Sequence, residues 1–554
     1  MVYAPAVDSR PLTVDFFMIL LSSMLQRINP WFYVVLSALL LFAAWPPLPF
    51  PFLIFLAFIP LLALENHHYQ VADKPLQYYF QISLTFILWN AATTYWTWFA
   101  SPAGSMVAIL LNAQLQSLPW LLFHRTRKIF GDKLAYPALL MFSLSVEYLH
   151  LNWDIAWPWL NIGNVFAGSV WAVQWYEITG TLGGSLWVYG TTILIYLTLV
   201  RAGNWKTWIR PALWLLLPVA ASLSIGEKEK YSDSLKELIG FETIVVQPNI
   251  DPYTDKFDGM TPEQQLQRLF RLSDSLVTPA TRLMFWPETA LTDYLDERSL
   301  DTEPTVQRIQ AWVNRYPELM LISGASTVRV YDKNEKHSST AREIKQSPGL
   351  FYDSYNTALS FRANKPVEIY HKSKLVPGVE KMPYPRIFGF LENYAIDLGG
   401  TSGSLGRSDS AVVFSDRDAH VAPIICYESV FGEYVGEYVN NGAGVLGIIT
   451  NDGWWKDTPG YRQHFLYARL RAIENRMYVA RSANTGISGF IDPSGKVLAQ
   501  TEWWVEDAVK MNISTGTKKT FYAKSGDYLG RLAGFFSVLV IIAGFVRRKT
   551  RKGY

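Results

Sequence analysis

The chain has 554 residues and a net charge of +3; 50% of the residues are hydrophobic and 18% are charged. This composition is too apolar for an ordinary soluble protein and too charged for a pure membrane bundle. The small net charge lacks the basic footprint of a nucleic-acid-binding protein, so no nucleic-acid partner is expected. The single cysteine, Cys426, excludes an intramolecular disulfide and a cysteine-rich zinc site. The eight histidines fall into no metal-ligand spacing, and we predict neither a metal nor a cofactor.

Apolar stretches recur at the length needed to cross a hydrocarbon core of about 30 Å, for which about 20 helical residues suffice. Seven precede a long polar region and one follows it. The predicted spans are residues 31–46, 50–65, 80–100, 104–123, 135–152, 181–200, 209–225 and 529–546. The shorter apolar run 16–25 is predicted to be an interfacial helix, although its length leaves open whether it spans the membrane. It lacks a small-residue cleavage site, so we expect no removable signal peptide.

Lys and Arg occur in every second connecting segment, and these residues in short loops favour the cytoplasmic side. The positive residues of one side are Arg10, Arg27, Lys74, Arg125, Arg127, Lys128, Lys133, Arg201, Lys206, Arg210, Arg547, Arg548, Lys549, Arg551 and Lys552. The opposite loops 46–51, 100–105 and 153–180 contain neither residue type. We therefore predict cytoplasmic termini and an extracytoplasmic polar region. The predicted domains are 1–225 in the membrane, 226–528 outside the cytoplasm, and 529–554 as a final helix with a basic tail.

The segment 153–180 joins the fifth and sixth predicted spans on the outer side. Its tryptophans are Trp153, Trp157, Trp159, Trp171 and Trp175. Because tryptophan prefers the headgroup level, the segment is predicted to lie in the membrane interface beside the polar region. It forms either an anchoring belt or a lipid-contacting wall of an active site, and the sequence favours neither.

Residues 241–512 alternate short β-branched runs with helical patterns, which predicts an α/β unit. The predicted strands are 243–247, 282–286, 319–323, 411–414, 422–426 and 444–450. The predicted helices are 261–277, 303–316 and 463–476. Residues 332–349, rich in Lys, Ser and Glu, are predicted to be a solvated loop.

Three reactive side chains stand where predicted strands end. Cys426 closes an apolar run, Glu288 follows Phe-Trp-Pro, and Lys372 follows Ile-Tyr-His. Desolvation is expected to raise the pKa of Glu288 and make it a proton acceptor, while Lys372 would stabilise a thiolate and an oxyanion. A base, a cation and a nucleophile are what thioester chemistry requires. Taken singly, a cysteine is more often a small core residue and each of the two charges is more often a surface group.

The segments around these residues resemble the three catalytic motifs of the nitrilase superfamily, in their usual order. They are Phe285-Trp-Pro-Glu288, Tyr370-His-Lys372 with Leu375-Val-Pro377, and Ile425-Cys-Tyr-Glu428. Further similar segments are Thr450-Asn-Asp-Gly-Trp-Trp455, Gln463-His464, Ala468-Arg469, Arg471 to Arg476 and Ser482 to Gly486. With the flanking spans, nearly the whole chain resembles the apolipoprotein N-acyltransferase family, the membrane-embedded branch that completes bacterial lipoprotein maturation.

The resemblance implies a multi-span α-helical membrane domain and a nitrilase-like α-β-β-α sandwich outside the cytoplasm. It implies Glu288 as general base, Lys372 as oxyanion-stabilising cation and Cys426 as nucleophile. The supporting residues that it implies are Glu380, Tyr427 and Glu428 near the site and Trp454 on a mobile arm. One departure is visible: the family commonly has Val-Pro-Phe-Gly-Glu where this chain has Val376-Pro-Gly-Val-Glu380. The spacing to Glu380 is kept but the turn has changed, which leaves its role open.

The implied reaction transfers an acyl chain from a phospholipid, with phosphatidylethanolamine the expected donor, through a thioester on Cys426. The implied acceptor is the N-terminal amine of diacylglyceryl-cysteine in an apolipoprotein. Because drawing a lipid out of the bilayer costs about 0.8 kcal/mol per CH₂, the enzyme must come to the lipid. We expect a multi-pass monomer in the cell inner membrane, with the catalytic domain on the periplasmic side.

Two other functions use the same sequence features. One is a membrane-anchored amidase or nitrilase with water as acceptor, although a soluble substrate needs no eight-helix scaffold. The other is a transporter or non-catalytic scaffold. The predicted spans disfavour it because they hold few ionisable residues of the kind that mark a transport pathway, Glu147 being one of the few.

Overall fold

The computed structural model of the protein describes residues 29–70, 74–200, 205–236, 240–256, 259–388, 404–516 and 518–552. The described helices of the N-terminal part are α1 Pro30–Ala44, α2 Ile54–Ala57, α3 Ile59–Gln70, α4 Pro75–Thr94, α5 Thr97–Ala100, α6 Pro102–Phe130, α7 Asp132–Asn152, α8 Tyr176–Val200 and α9 Ile209–Lys236. Those of the C-terminal part are α10 Pro262–Asp274, α11 Pro304–Val313, α12 Pro385–Phe388, α13 Gly432–Asn440, α14 Pro459–Asn475, α15 Phe521–Ser525 and α16 Tyr528–Lys552.

Helices occupy all eight positions predicted as spans. Among the described residues, six segments are long and apolar enough to cross a membrane: Pro51–Gln70, Pro102–Phe130, Asp132–Asn152, Tyr176–Val200, Trp205–Gly226 and Tyr528–Thr550. Helix α1, with 15 residues, is too short to be counted among them. Helix α4 is long enough but carries buried amides that bond inside the bundle; its Asn90 lies 2.7 Å from Gln116 and 2.6 Å from Asn112. The predicted interfacial helix 16–25 lies outside the described residues.

Some of the positively charged residues that were predicted to lie in a loop are part of a helix. The residues Arg125, Arg127 and Lys128 form the last turns of α6, not a free loop. Arg127 is buried and its guanidinium bonds Glu65 of α3 and Asp132 of α7. His124, one turn earlier, lies 2.8 Å from the same Glu65. Partnered charges therefore tie these three helices together, as buried charges require.

The region between α9 and α16 contains two β-sheets. Its strands are β1 Phe241–Gln247, β2 Thr281–Phe285, β3 Leu291–Asp296, β4 Met320–Val330, β5 Arg342–Glu343, β6 Phe351–Arg362, β7 Glu368–His371, β8 Phe414–Asp416, β9 Ala419–Ile425, β10 Val445–Thr450, β11 Tyr478–Ala483, β12 Gly489–Ile491, β13 Val497–Gln500 and β14 Asp507–Ile513. The first sheet has the order β14-β1-β2-β4-β6-β5, with β3 beside β4 and β7 beside β6. The second has the order β13-β12-β11-β10-β9-β8.

The sheets face each other and helices cover both outer faces, which confirms the predicted α-β-β-α sandwich. Strand β1 shows why its sequence produces this layering, since successive side chains of a strand point to opposite faces. Val245 belongs to the core between the sheets, whereas Ile244 and Val246 pack with α10 and α11 on the outer face. At the centre of the second sheet, β9, β10 and β11 run parallel, so their carboxyl ends meet at one edge.

Several element boundaries differ from the sequence prediction. The strand predicted at 411–414 is mostly irregular, and β8 begins only at Phe414. Helix α14 begins at Pro459, four residues before its predicted start at 463. The longest strand, β6, was not predicted, nor were β3 and the strands after α14. The segment 332–349 is largely irregular and exposed, as predicted, apart from the short strand β5.

Helix α14 joins the sandwich to the membrane part through buried polar contacts. Its Gln463 accepts hydrogen bonds from the indoles of Trp96, at 3.2 Å, and Trp159, at 2.7 Å, and donates to the carbonyl of Pro46 at 2.9 Å. Near the end of the helix, Arg476 pairs with Glu177 at 2.6 Å. The edge of the sandwich that carries the reactive side chains is thereby fixed against the helical bundle.

Candidate active site

Cys426 follows directly after β9, as the first residue of the 3₁₀ turn Cys426–Val430. It was predicted as the last strand residue, but its φ of +48° breaks the strand. Residues other than glycine rarely adopt this left-handed backbone conformation. It costs about 1–3 kcal/mol and often marks a functional site. Cys426 is partly buried: it packs against the hydrophobic core and also borders a cavity, so it is not enclosed in the core.

Glu288 lies in a second tight turn, which follows strand β2 of the first sheet. Its carboxylate accepts hydrogen bonds from the Asn356 amide at 2.7 Å and from the main-chain N–H of Asn451 at 3.0 Å. The turn packs directly on Gly324 of β4. A Cβ at Gly324 would lie 2.5 Å from the carbonyl oxygen of Pro287, so only glycine lets the turn approach this closely.

Lys372 follows β7, as predicted, and is fully buried. Its ammonium lies 3.1 Å from Glu288 Oε1 and 2.8 Å from Glu380 Oε1. Its own main-chain N–H donates to the carbonyl of Asn356 at 2.8 Å. The lysine is therefore clamped at both ends of its side chain, between two carboxylates. The plainer reading of Lys372 and Glu288 as surface charges is wrong.

The electrostatics correct one prediction. Desolvation acts to raise the pKa of Glu288, as expected, but the Lys372 ammonium and the Asn356 amide outweigh it, so the pKa lies below its ordinary value. Desolvation acts to lower the pKa of Lys372, yet Glu288 and Glu380 together hold it well above its ordinary value. Burial and the Glu288 carboxylate raise the pKa of the Cys426 thiol, against an opposing effect of Lys372. The resting site therefore contains a carboxylate, an ammonium and a neutral thiol.

Glu380 occupies the position that the changed turn had left open. One carboxylate oxygen bonds Lys372 and accepts from Asn356 at 3.0 Å, while the other accepts from the main-chain N–H of Val376 at 2.8 Å. The turn Val376-Pro-Gly-Val-Glu380 places Gly378 at a φ of +77°, a conformation that suits glycine. The altered residues thus still deliver the carboxylate to the lysine.

Glu428 and Tyr427 act around the cysteine in different ways. The buried Glu428 carboxylate accepts from the main-chain N–H groups of Ile425 at 2.8 Å and Ser373 at 2.6 Å. It thus links the residue before Cys426 to the residue after Lys372. Tyr427 donates to the carbonyl of Ala156 at 2.8 Å, which ties the cysteine turn to the tryptophan-rich segment.

A cavity of about 730 Å³ opens above these residues. Six of the seven predicted site residues line it: Glu288, Lys372, Glu380, Cys426, Tyr427 and Trp454. The seventh, Glu428, is buried beside the cysteine turn and does not border the cavity. The opposite wall comes from the membrane part, with apolar residues of α6 such as Val107, Ala108 and Leu111. Trp157 and Trp159 also border the cavity, whereas Trp171 is 49% exposed on the outside. The tryptophan-rich segment therefore contributes a wall to the site as well as exposed surface.

Three groups at the site were not assigned a role from the sequence. Asn356, in the unpredicted strand β6, bridges the two carboxylates; residues 351–362 show no regular alternation of polar and apolar residues, and their Phe, Tyr and Thr content was the available signal. The main-chain N–H of Asn451 reaches Glu288, which no side-chain pattern reveals. Lys256 is buried beside the Glu288 turn, where its ammonium lies 3.4 Å from the Glu288 carbonyl oxygen and burial lowers its pKa to about 8.

Comparisons with known proteins agree with this architecture. A family model described as carbon-nitrogen hydrolase matches residues 245–520, and one described as apolipoprotein N-acyltransferase N-terminal domain matches residues 37–194. The two matches divide the chain at the junction between the helical bundle and the sandwich.

Relatives are similar over most of the chain. An apolipoprotein N-acyltransferase of Chlorobaculum tepidum is 30% identical over 540 residues, which cover 95% of this chain and 98% of the relative. One of Rickettsia prowazekii is 28% identical over 75% of this chain and 78% of the relative. Among solved structures, Nit3 of Saccharomyces cerevisiae, a nitrilase-superfamily member, is 17% identical, with a TM-score of 0.35 over 49% of this chain and 89% of that one.

Proposed function

The chain belongs to the apolipoprotein N-acyltransferase family, and from that premise we propose that Cys426 carries a fatty acyl group from a phospholipid to the N-terminal amine of a diacylated apolipoprotein. The protein is an acyltransferase with lipid and lipoprotein substrates and is associated with the membrane. One observation supports the residue roles most strongly. The Lys372 ammonium, 3.1 Å from Glu288 and 2.8 Å from Glu380, shares a largely apolar cavity with the only thiol of the chain.

In the first half-reaction, Glu288 accepts the thiol proton as the sulfur attacks the ester carbonyl of the phospholipid. The pKa directions oppose proton transfer in the resting site, since that of the thiol is raised and that of Glu288 lowered. Transfer therefore accompanies attack, when the negative charge passes to the carbonyl oxygen, where Lys372 stabilises it. The C–O bond of the ester then breaks, and the proton held by Glu288 goes to the departing alkoxide. Lysophospholipid leaves, and a thioester on Cys426 remains.

In the second half-reaction, the neutral α-amine of the diacylglyceryl-cysteine attacks the thioester. Glu288 takes a proton from the attacking nitrogen, the C–S bond breaks, and the proton returns to the cysteine sulfur. The products are an amide and the free enzyme, as ping-pong kinetics require. Glu380 keeps Lys372 in place while Glu288 is neutral, and Tyr427, Glu428 and Trp454 shape the surroundings of the cysteine.

The donor that we propose is phosphatidylethanolamine, and the proposed location is the cell inner membrane, with the sandwich on the periplasmic side and both termini cytoplasmic. We propose that residues 1–225 and 529–554 form the membrane part, that 226–528 form the catalytic domain, and that the protein acts as a monomer. The apolar wall from α6 supports a lipid substrate, because acyl chains gain free energy on such a surface. It also speaks against a small soluble amide as substrate.

The test is mass spectrometry of the purified protein after incubation with phosphatidylethanolamine alone. We expect a mass increase of one acyl group on the peptide that contains Cys426, removable by hydroxylamine, and its transfer to a synthetic diacylated lipopeptide. The Cys426→Ala variant is the matched control and should stay unmodified. Acylation at another residue, or ammonia release from small amides without acyl transfer, would contradict the proposal.

A further inference from the structure

The left-handed turn at Cys426 needs contacts that hold it, because an L-amino acid with a side chain rarely adopts a φ of +48°. The carbonyl of Cys426 receives such contacts from Ser429 and from His464, which also borders the cavity. The hydroxyl of Ser429 donates to this carbonyl oxygen at 2.7 Å, and His464 Nε2 lies 3.3 Å from it. The same Nε2 lies 2.9 Å from Ser429 Oγ. The imidazole therefore reaches the nucleophile's main chain both directly and through the serine.

The other ring nitrogen of His464 is fixed by a buried carboxylate. His464 Nδ1 lies 2.9 Å from Asp452 Oδ1, and Arg481 holds the second oxygen of Asp452 at 2.6 Å. One ring nitrogen of His464, Nδ1, thus faces the Asp452 carboxylate, while the other, Nε2, faces Ser429 and the carbonyl of Cys426. All three side chains are almost completely inaccessible to solvent.

Asp452 also acts on the thiol of Cys426. Its negative charge contributes to the raised pKa of that thiol, and the Thr450 hydroxyl donates to Asp452 Oδ1 at 2.9 Å. The same carboxylate therefore acts on the thiol electrostatically and on the carbonyl of Cys426 through His464.

The series Asp452, His464, Ser429 contains the residue types of a serine-protease triad, but its geometry gives it a different role. In such a triad the serine oxygen faces the substrate. Here Ser429 is 1% exposed, and its hydroxyl is bonded to the main chain of Cys426. The chain of hydrogen bonds therefore ends on the backbone of another nucleophile.

We propose that His464 is a positioning residue that holds the left-handed turn of Cys426 through Ser429 and Asp452, and so aims the thiol at the acyl carbonyl. The aromatic rings of Trp159 and Trp455 lie against the imidazole, each with its centroid 5.7 Å away, and restrain the ring. The inference rests on the proposed function in taking Cys426 as the acyl carrier. It adds to that function a residue at the edge of the cavity that acts through the main chain of Cys426.

Two substitutions distinguish the roles of the two ring nitrogens of His464. The side-chain amide of His464→Gln reaches the place of Nε2 and can still hydrogen-bond Ser429, whereas that of His464→Asn reaches only the place of Nδ1. We expect His464→Asn to lower the rate constant of Cys426 acylation about 100-fold, because a small misplacement of a nucleophile has effects of this size. His464→Gln should lose less than about tenfold, and neither variant should change the KM for phosphatidylethanolamine.

The single cysteine provides a second readout that does not depend on acyl transfer. Alkylation by iodoacetamide, followed by intact-protein mass spectrometry, reports the presentation of Cys426 alone. The same order of rates is expected: wild type, then His464→Gln, then His464→Asn. Thermal unfolding of each variant normalises the rates to folded protein. His337→Asn, in the exposed loop after β4, is the matched histidine control and should behave as wild type.

The acylation and alkylation rates of the two His464 variants decide whether His464 positions Cys426. Equal impairment of the Gln and Asn variants, or wild-type alkylation and acylation per folded molecule in His464→Asn, would overturn the inference, the latter even if the melting temperature fell. Slowed alkylation in His464→Asn but not in His464→Gln would support it. If wild type alkylated normally yet accepted no acyl group from phospholipid, the proposed function would fail while the positioning role would stand on the alkylation rates.

Discussion

The ammonium of Lys372 lies 2.8 Å from Glu380 Oε1, closer than the 3.1 Å that separates it from Glu288 Oε1. In the mechanism that we propose, Glu288 becomes neutral when it takes up the thiol proton and loses its attraction for the ammonium. Glu380 would remain charged, so Lys372 would keep one strong partner throughout the reaction. The second carboxylate would thus allow the lysine to stay beside the oxyanion.

Replacement Glu380→Gln tests this relationship, since it removes the charge and preserves the size of the side chain. We expect the rate constant of Cys426 acylation to fall about 100-fold, the effect of losing oxyanion stabilisation, with little change in the KM for phospholipid. Single-turnover acylation followed by mass spectrometry measures it. The exposed Glu502, replaced by Gln, is the matched control. Wild-type acylation in Glu380→Gln would show that one carboxylate suffices to hold Lys372.

Asn356→Leu should shift the pH dependence of acylation. The Asn356 amide is one of the groups that lower the pKa of Glu288, so its removal raises that pKa. The reaction needs Glu288 as a carboxylate, and the acidic limb of the rate profile should therefore move to higher pH. We expect this together with a fall in the maximal rate of about tenfold or more. Acylation rates between about pH 3 and 8 measure it, a range that brackets the ordinary glutamate pKa of about 4.3. A shift toward lower pH would contradict the assignment of Glu288 as base.

The proposed catalytic trio could be recognised because each member follows an apolar run that reads as a strand. In the structure, β2 and β7, which precede Glu288 and Lys372, belong to the first sheet, whereas β9, which precedes Cys426, belongs to the second. The protonation states of the three residues could not be predicted from the sequence. The pKa of Glu288 depends on its contacts with Lys372 and Asn356, and Asn356 lies in a strand whose mixed polarity hid it. Likewise, no linear spacing reports that Ser429 and Glu428 bond the main chain at the left-handed Cys426.

The membrane part illustrates the same limit. The length of the apolar stretches predicted where the helices lie. Among the described residues, six segments are long and apolar enough to cross a membrane. The length of the stretches did not show that Gln463 would dock between Trp96 and Trp159, or that α6 would supply a wall of the cavity. These features depend on packing between segments separated by hundreds of residues, and periodicity reports only local structure.

Trp157 and Trp171 provide a matched pair within the tryptophan-rich segment. Trp157 lines the cavity and stacks on Tyr427, with ring centroids 6.1 Å apart, whereas Trp171 is 49% exposed and borders no part of it. Trp157→Ala should raise the KM for phosphatidylethanolamine about tenfold, because it removes apolar surface worth about 1.4 kcal/mol or more from the wall. Trp171→Ala should leave it unchanged. Steady-state transfer to a lipopeptide in mixed micelles measures both, and equal KM values would exclude a lipid-contacting role for Trp157.

Glu428→Gln should disturb the position of Lys372 relative to Cys426. Every contact of the Glu428 carboxylate is with a donor: the main-chain N–H groups of Ile425, Ser373 and Lys374, and the hydroxyls of Tyr370 and Tyr438. A glutamine must turn its own N–H₂ toward some of these donors, which leaves buried groups unpaired and should lower the free energy of unfolding by about 3 kcal/mol.

The functional effect should exceed the loss of stability. Ser373 adjoins Lys372 and Ile425 adjoins Cys426, so the same carboxylate sets the distance between cation and nucleophile. We expect acylation per folded molecule to fall about 100-fold in Glu428→Gln. Thermal unfolding in detergent and iodoacetamide labelling of Cys426 measure stability and thiol presentation separately. The exposed Glu437 on α13, replaced by Gln, is the control. Full acylation by the folded fraction would show that Glu428 stabilises the turn without setting the geometry of the reaction.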